Sequence, residues 1–152
     1  MLVCPACQRN NGPFGLRHQL RVDGHLLRVW LCPCGERFPT LAGMETMPGG
    51  ASIYTGFTVQ YRGRYQSVEL KYVGAREATW TIGKWVINIH QDRPSDRTRR
   101  VTLWGDQEEP LGEWQVEAGL GLSELSEQIQ VNSPPTDLDL PLLHRAIFRM
   151  IS

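Results

Sequence analysis

Two short cysteine turns, Cys4-Pro5-Ala6-Cys7 and Cys32-Pro33-Cys34-Gly35, hold all four cysteines of the chain. Four thiolates can complete a tetrahedral metal centre, and two such turns can meet at one ion across a hairpin, which is the pattern of a zinc ribbon. Cys4, Cys7, Cys32 and Cys34 are therefore the expected zinc ligands. The second pair is CxC where ribbons usually have CxxC. Redox thiol pairs and disulfides are the other uses of paired cysteines. Disulfides call for an oxidising compartment, and the opening Met1-Leu2-Val3-Cys4 has no basic then apolar leader pattern. No apolar run reaches membrane-spanning length, so a cytoplasmic protein without a membrane partner is expected.

The element that must bring the two turns together lies between them. Val22-Asp23-Gly24-His25 is a hairpin signal, because Asp-Gly tolerates the positive φ angles of a type I′ turn. Counting outward from that tip sets Val22 opposite His25, Leu20 opposite Leu27, His18 opposite Val29 and Leu16 opposite Leu31 on one face. Arg21 with Leu26, Gln19 with Arg28, and Arg17 with Trp30 fall on the other. One face is apolar with two histidines, and the other gathers three guanidiniums and an indole. His18 and His25 fit packing on the apolar face, with zinc ligation as the alternative.

The segment from Cys4 to Thr40 resembles the zinc ribbon of the NrdR-type ribonucleotide-reductase repressors and, more loosely, the Ogr/Delta phage activators. The likeness rests on the opening Cys4-Pro5-x-Cys7, the strand-turn-strand with Asp23-Gly24, the arginine-bearing second strand, and Cys34-Gly35-Glu36-Arg37-Phe38-Pro39-Thr40. It implies zinc on the four cysteines and DNA binding or transcription control. Nothing after Thr40 resembles the nucleotide-binding domain of those repressors. Arg17, Arg21, Arg28, Trp30 and Arg37 are the expected contacts to nucleic acid, DNA or RNA, or to a protein partner in a transcription or nucleoprotein complex.

Formal charge sums to zero over the 152 residues, but its distribution does not. Residues 1–105 carry 14 basic and 7 acidic side chains, whereas 106–152 carry only Arg145 and Arg149 against nine carboxylates. This asymmetry fits a polyanion-facing front, and equally a chain with solvated faces of either sign.

The remainder reads as mainly β with minor α: an antiparallel β meander or small barrel closed by a C-terminal amphipathic helix. The expected organisation is a ribbon over 1–43, a linker over 44–51 containing Met47-Pro48-Gly49-Gly50, and a β domain over 52–152. Alternation predicts strands from Ile53 to Tyr61, Tyr65 to Val73, Thr79 to His90 with a bulge at Gly83, Arg100 to Trp104, and a short edge at Trp114 to Glu117. A short helix is expected from Leu122 to Val131. From Pro141 a final helix places Leu142, Leu143, Ala146, Ile147, Met150 and Ile151 on one face, with Arg145 and Arg149 elsewhere and His144 at its boundary. No nucleophile elbow, phosphate-cradling glycine loop or HExxH pattern occurs, so no enzymatic activity is expected.

Overall fold

A computed structural model of the chain describes residues 1–46 and 52–151. It is mainly β, with two open antiparallel sheets and two helices, and it divides into two compact units, Met1–Thr55 and Gly56–Ser152. Among the described residues no helix is long and apolar enough to cross a membrane.

In the first unit β1 (Gly15–Val22), β2 (His25–Leu31) and β3 (Arg37–Leu41) form one sheet in that order. Asp23 and Gly24 both have positive φ, 51° and 76°, so the expected type I′ turn forms. Register follows the expectation from Val22↔His25 down to His18↔Val29. Below that a bulge intervenes, and Leu16 faces Trp30 while Gly15 faces Leu31. The expected pairs Arg17 with Trp30 and Leu16 with Leu31 are thereby corrected. Arg17 is the extra residue, and an unmatched residue reverses the alternation beyond it.

The third strand changes the character of the hairpin. Trp30↔Phe38 and Arg28↔Thr40 pairing puts Phe38 and Thr40 on the arginine face, and both are buried. Residues 52–54 run along β3: Thr40 bridges Ile53, the Leu41 N–H reaches the Ser52 carbonyl, and the Tyr54 N–H reaches that of Pro39. Ile53 thus belongs beside β3, a correction to the strand expected from Ile53 onward. Residues 47–51 of the expected linker lie outside the described residues, whereas Met44 is tied back to the Leu41 carbonyl at 3.2 Å.

The second unit is a six-stranded meander in which every strand pairs with its sequence neighbour: β4 (Gly56–Tyr61), β5 (Arg64–Val73), β6 (Glu77–Ile82), β7 (Trp85–His90), β8 (Thr98–Trp104) and β9 (Gly112–Glu117). It stays open, with β4 and β9 as its edges, so the meander forms and the barrel does not. The single strand expected over Thr79 to His90 is two strands. Gly83, at φ 57°, and Lys84 make a two-residue turn that pairs Ile82 with Trp85 and Trp80 with Ile87. The switch from even to odd apolar positions at Gly83 records this reversal of direction.

Trp80, Ile82, Ile87, Val101, Leu103 and Val116 fill one sheet face under α1 (Leu122–Gln128) and α2 (Leu140–Ile151). Asp139 caps α2, its carboxylate accepting from the Leu142 N–H at 3.4 Å. Leu142, Leu143, Ala146, Ile147, Met150 and Ile151 are buried, so the amphipathic helix covers its own sheet. His144 is buried with them, because its Nε2 meets the Ile129 carbonyl at 2.7 Å at the end of α1. On β4, Arg149 lies 4.4 Å from the Phe57 ring centre and donates to the Thr58 carbonyl.

Gly56 opens β4 at φ 150°, and a Cβ there would stand 1.9 Å from the Val68 carbonyl oxygen. Gly56→Ala is expected to cost at least about 2 kcal/mol, read as a lower urea midpoint at unchanged m-value.

Candidate metal centre

Each cysteine pair is shaped by one hydrogen-bonded frame. In the first turn the Gln8 N–H bonds the Cys4 carbonyl at 2.9 Å and the Cys4 N–H bonds the Arg9 carbonyl at 3.0 Å. In the second, the Gly35 N–H bonds the Cys32 carbonyl and the Cys32 N–H bonds the Glu36 carbonyl, both at 2.9 Å. The residue after the second cysteine is left-handed in both, Gln8 at φ 64° and Gly35 at φ 97°. The CxC turn is therefore the CxxC turn with one residue removed from between the cysteines. Its closing bonds are unchanged.

These frames bring the four sulfurs within 4.8 Å of one another, with Cys4 and Cys34 Sγ 3.7 Å apart and Cys7 and Cys32 Sγ 3.6 Å apart. A tetrahedron with metal–sulfur bonds of about 2.3 Å has edges of about 3.8 Å. The donor set fits such an ion, and both short contacts join one turn to the other. Cys4 and Cys32 are buried in a cluster with Phe38, against which Phe14 and Trp30 pack, while Cys7 and Cys34 are exposed. Phe14 meets Phe38 edge to face at 5.8 Å.

The thiols are unequal. A hydrogen bond from the Arg9 backbone N–H holds Cys7 down to about 7, and burial pushes Cys32 up to about 12. A bound cation favours the thiolate form at every ligand, so loading the site releases protons.

The expected binding residues separate into three settings. Arg21 is exposed on the face shared with Arg28 and Trp30, and Arg17 is exposed at the bulge. Arg37 is also exposed, but it pairs with Leu31 and so belongs to the opposite face, near His18. Arg28 and Trp30 are committed internally. Arg28 reaches both carboxylate oxygens of Glu45 at 3.2 and 3.3 Å, and the Trp30 indole N–H donates to Thr40 Oγ1 at 2.9 Å. Thr40 in turn donates to Glu45 at 3.2 Å, and the Gly43 N–H adds a bond of 3.0 Å. Glu45 and Thr40 are the residues that reading the hairpin alone misses. The alternation Phe38-x-Thr40 just after Gly35 is the signal of the strand that carries one of them.

His18 is half-buried, and both its ring nitrogens are buried without a hydrogen-bond partner among the described residues. Burial, aided by the charge of Arg37, lowers its pKa and keeps the ring neutral. Neither it nor His25, which is exposed at the start of β2, belongs to the metal-ligating group. No protein-family model matches the chain, and no curated protein or solved structure matches it.

Purified protein is expected to carry one metal ion per chain, and Cys34→Ser to lose most of it. Because Trp30 packs on the ligand cluster, chelation should change indole fluorescence in the parent protein and much less in Trp30→Phe. A second expectation concerns Glu45. Burial opposes its ionisation, but bonds from its own N–H, Arg28, Gly43 and Thr40 outweigh this and hold its pKa below the ordinary carboxylate range. A depressed folded-state pKa stabilises above the unfolded value, and that stability is lost as pH falls through the folded one. Glu45→Gln should therefore cost about 1–2 kcal/mol at neutral pH, and the difference between the two proteins should close in acid. Urea midpoints measured across pH check this.

Proposed function

We propose that the chain is a zinc-ribbon nucleic-acid-binding protein, a cytoplasmic transcription regulator or accessory factor without enzymatic activity. Zinc is the natural occupant of four thiolates in a closed tetrahedral site, where it serves folding. The observation that carries the binding reading is the state of two guanidiniums. Arg17 and Arg21 are exposed on β1, the edge of the ribbon sheet, and make no ion pair with any described residue. Each keeps its full donor fork for phosphate oxygens.

The ribbon unit has five arginines against Asp23, Glu36 and Glu45. Four thiolates around a divalent cation add a formal charge of about −2, which brings the unit close to neutrality. That balance supports recognition at a few positions over bulk capture of polyanion. It also favours a second reading, in which the ribbon is a rigid stud that docks on a larger nucleoprotein machine such as RNA polymerase.

Salt dependence separates the two. Binding of metal-loaded protein to a DNA duplex should weaken with salt, and Arg17→Ala with Arg21→Ala should flatten the slope by about two counterions. An unchanged slope at full metal content would remove these arginines from DNA recognition. If the parent protein does not bind duplex or RNA at low salt, the adaptor reading takes over, and the same double variant should then fail to retain its protein partner.

A further inference from the structure

The second unit carries another pair of uncommitted guanidiniums, brought together by the fold. Tyr61 ends β4, and its ring receives Arg62 from the following turn at 5.2 Å and Arg145 from α2 at 4.8 Å. Both arginines are exposed, and neither makes an ion pair or side-chain hydrogen bond with a described residue. The neighbouring cations are already engaged: Arg64 with Asp139 at 3.4 Å, and Arg149 with the Thr58 carbonyl and the Phe57 ring. Two like charges thus converge on one aromatic ring with no carboxylate between them. A cation over a ring is held by electrostatic attraction that uses up none of its N–H donors, and neither guanidinium hydrogen-bonds a described residue.

The turn that delivers Arg62 is conformationally expensive. Arg62 has φ 51° and Gly63 φ 74°, a type I′ turn with arginine at a position that favours Asn, Asp or Gly. Non-glycine residues seldom adopt the left-handed region, so this turn holds Arg62 at a conformational cost.

We infer that Arg62 and Arg145, both placed over the Tyr61 ring, form a second phosphate-binding site that grips the backbone of a nucleic acid. A phosphodiester carries its charge on two free oxygens, and each donor fork can take one phosphate of the backbone. A bidentate, charge-assisted contact of this kind suits the arginine fork. This rests on the nucleic-acid reading of the ribbon but uses none of its residues.

The test uses full-length, metal-loaded protein and the same labelled DNA duplex as for the ribbon. Arg62→Ala with Arg145→Ala should flatten the salt slope by about two counterions and lower affinity at low salt about tenfold. Combining it with the ribbon pair should remove about four. Arg62→Lys with Arg145→Lys keeps the charges and should retain most of the slope. Tyr65→Ala, on the opposite sheet face, should match the parent. An unchanged slope in the Arg62/Arg145 alanine pair, with thermal midpoint intact and the ribbon pair still effective, would overturn this site and leave the ribbon reading standing. No duplex binding by the parent protein would overturn both. Equal displacement of the duplex by polyglutamate at matched charge would assign the site to an acidic protein segment and overturn it as a nucleic-acid site.

Discussion

The first unit depends on the meeting of four sulfurs at the base of a hairpin. A sheet of three short strands buries few side chains, chiefly Val22, Leu27, Val29 and Phe38, with Cys4 and Cys32 among the most enclosed. A core of that size supplies little net stability, and small modules of this kind draw on a metal ion for the rest. Each turn must therefore hold its sulfurs in place through backbone bonds of its own. The shared frame closing through Gln8 and Gly35 does so at both ends, although one turn is a residue shorter. The apolar side of the cluster faces Phe14 and Trp30, so metal binding and side-chain packing draw on the same atoms.

The same economy governs the arginines of the ribbon. Arg28 lies where β3 and the following turn bring Glu45 against it, and an ion pair reinforced by Thr40 and Gly43 is an internal strut. Arg17 and Arg21 lie on the strand with no further neighbour and stay available. Availability here follows from topology. Arginines of equal chemical character were sorted by whether a later piece of chain arrived with a carboxylate.

Local signals in the sequence were reliable where one short segment decides the outcome. Asp23-Gly24 specified its turn, the cysteine spacing specified its cluster, and apolar alternation specified the strands of the meander. Signals failed where two conformations produce the same pattern. At Gly83 a bulge and a two-residue turn both shift apolar parity, and only pairing of Trp80 with Ile87 distinguishes them. At Arg17 regular alternation gave no warning, because the bulge lies where the strand leaves for the first cysteine turn. Glu45 was hidden for a different reason: its role depends on a contact to Arg28, 17 residues away, and on a turn that brings it back to Thr40. The meeting of Arg62 with Arg145 on Tyr61 is of the same kind, since α2 and β4, which it contacts, lie at opposite ends of the second unit's sequence.

An open six-stranded sheet leaves two rows of backbone groups that another strand could join, the route by which such folds assemble edge to edge. The first row is interrupted on β4, where the Arg149 guanidinium occupies the Thr58 carbonyl. On β9, Glu113 and Glu117 stand exposed on the same side of the strand, so an antiparallel copy of it would bring carboxylates face to face. The two borders are thus guarded by opposite charges and by different means. Part of the acidic excess toward the C-terminal end of the chain stands where like-charge repulsion disfavours edge-to-edge pairing.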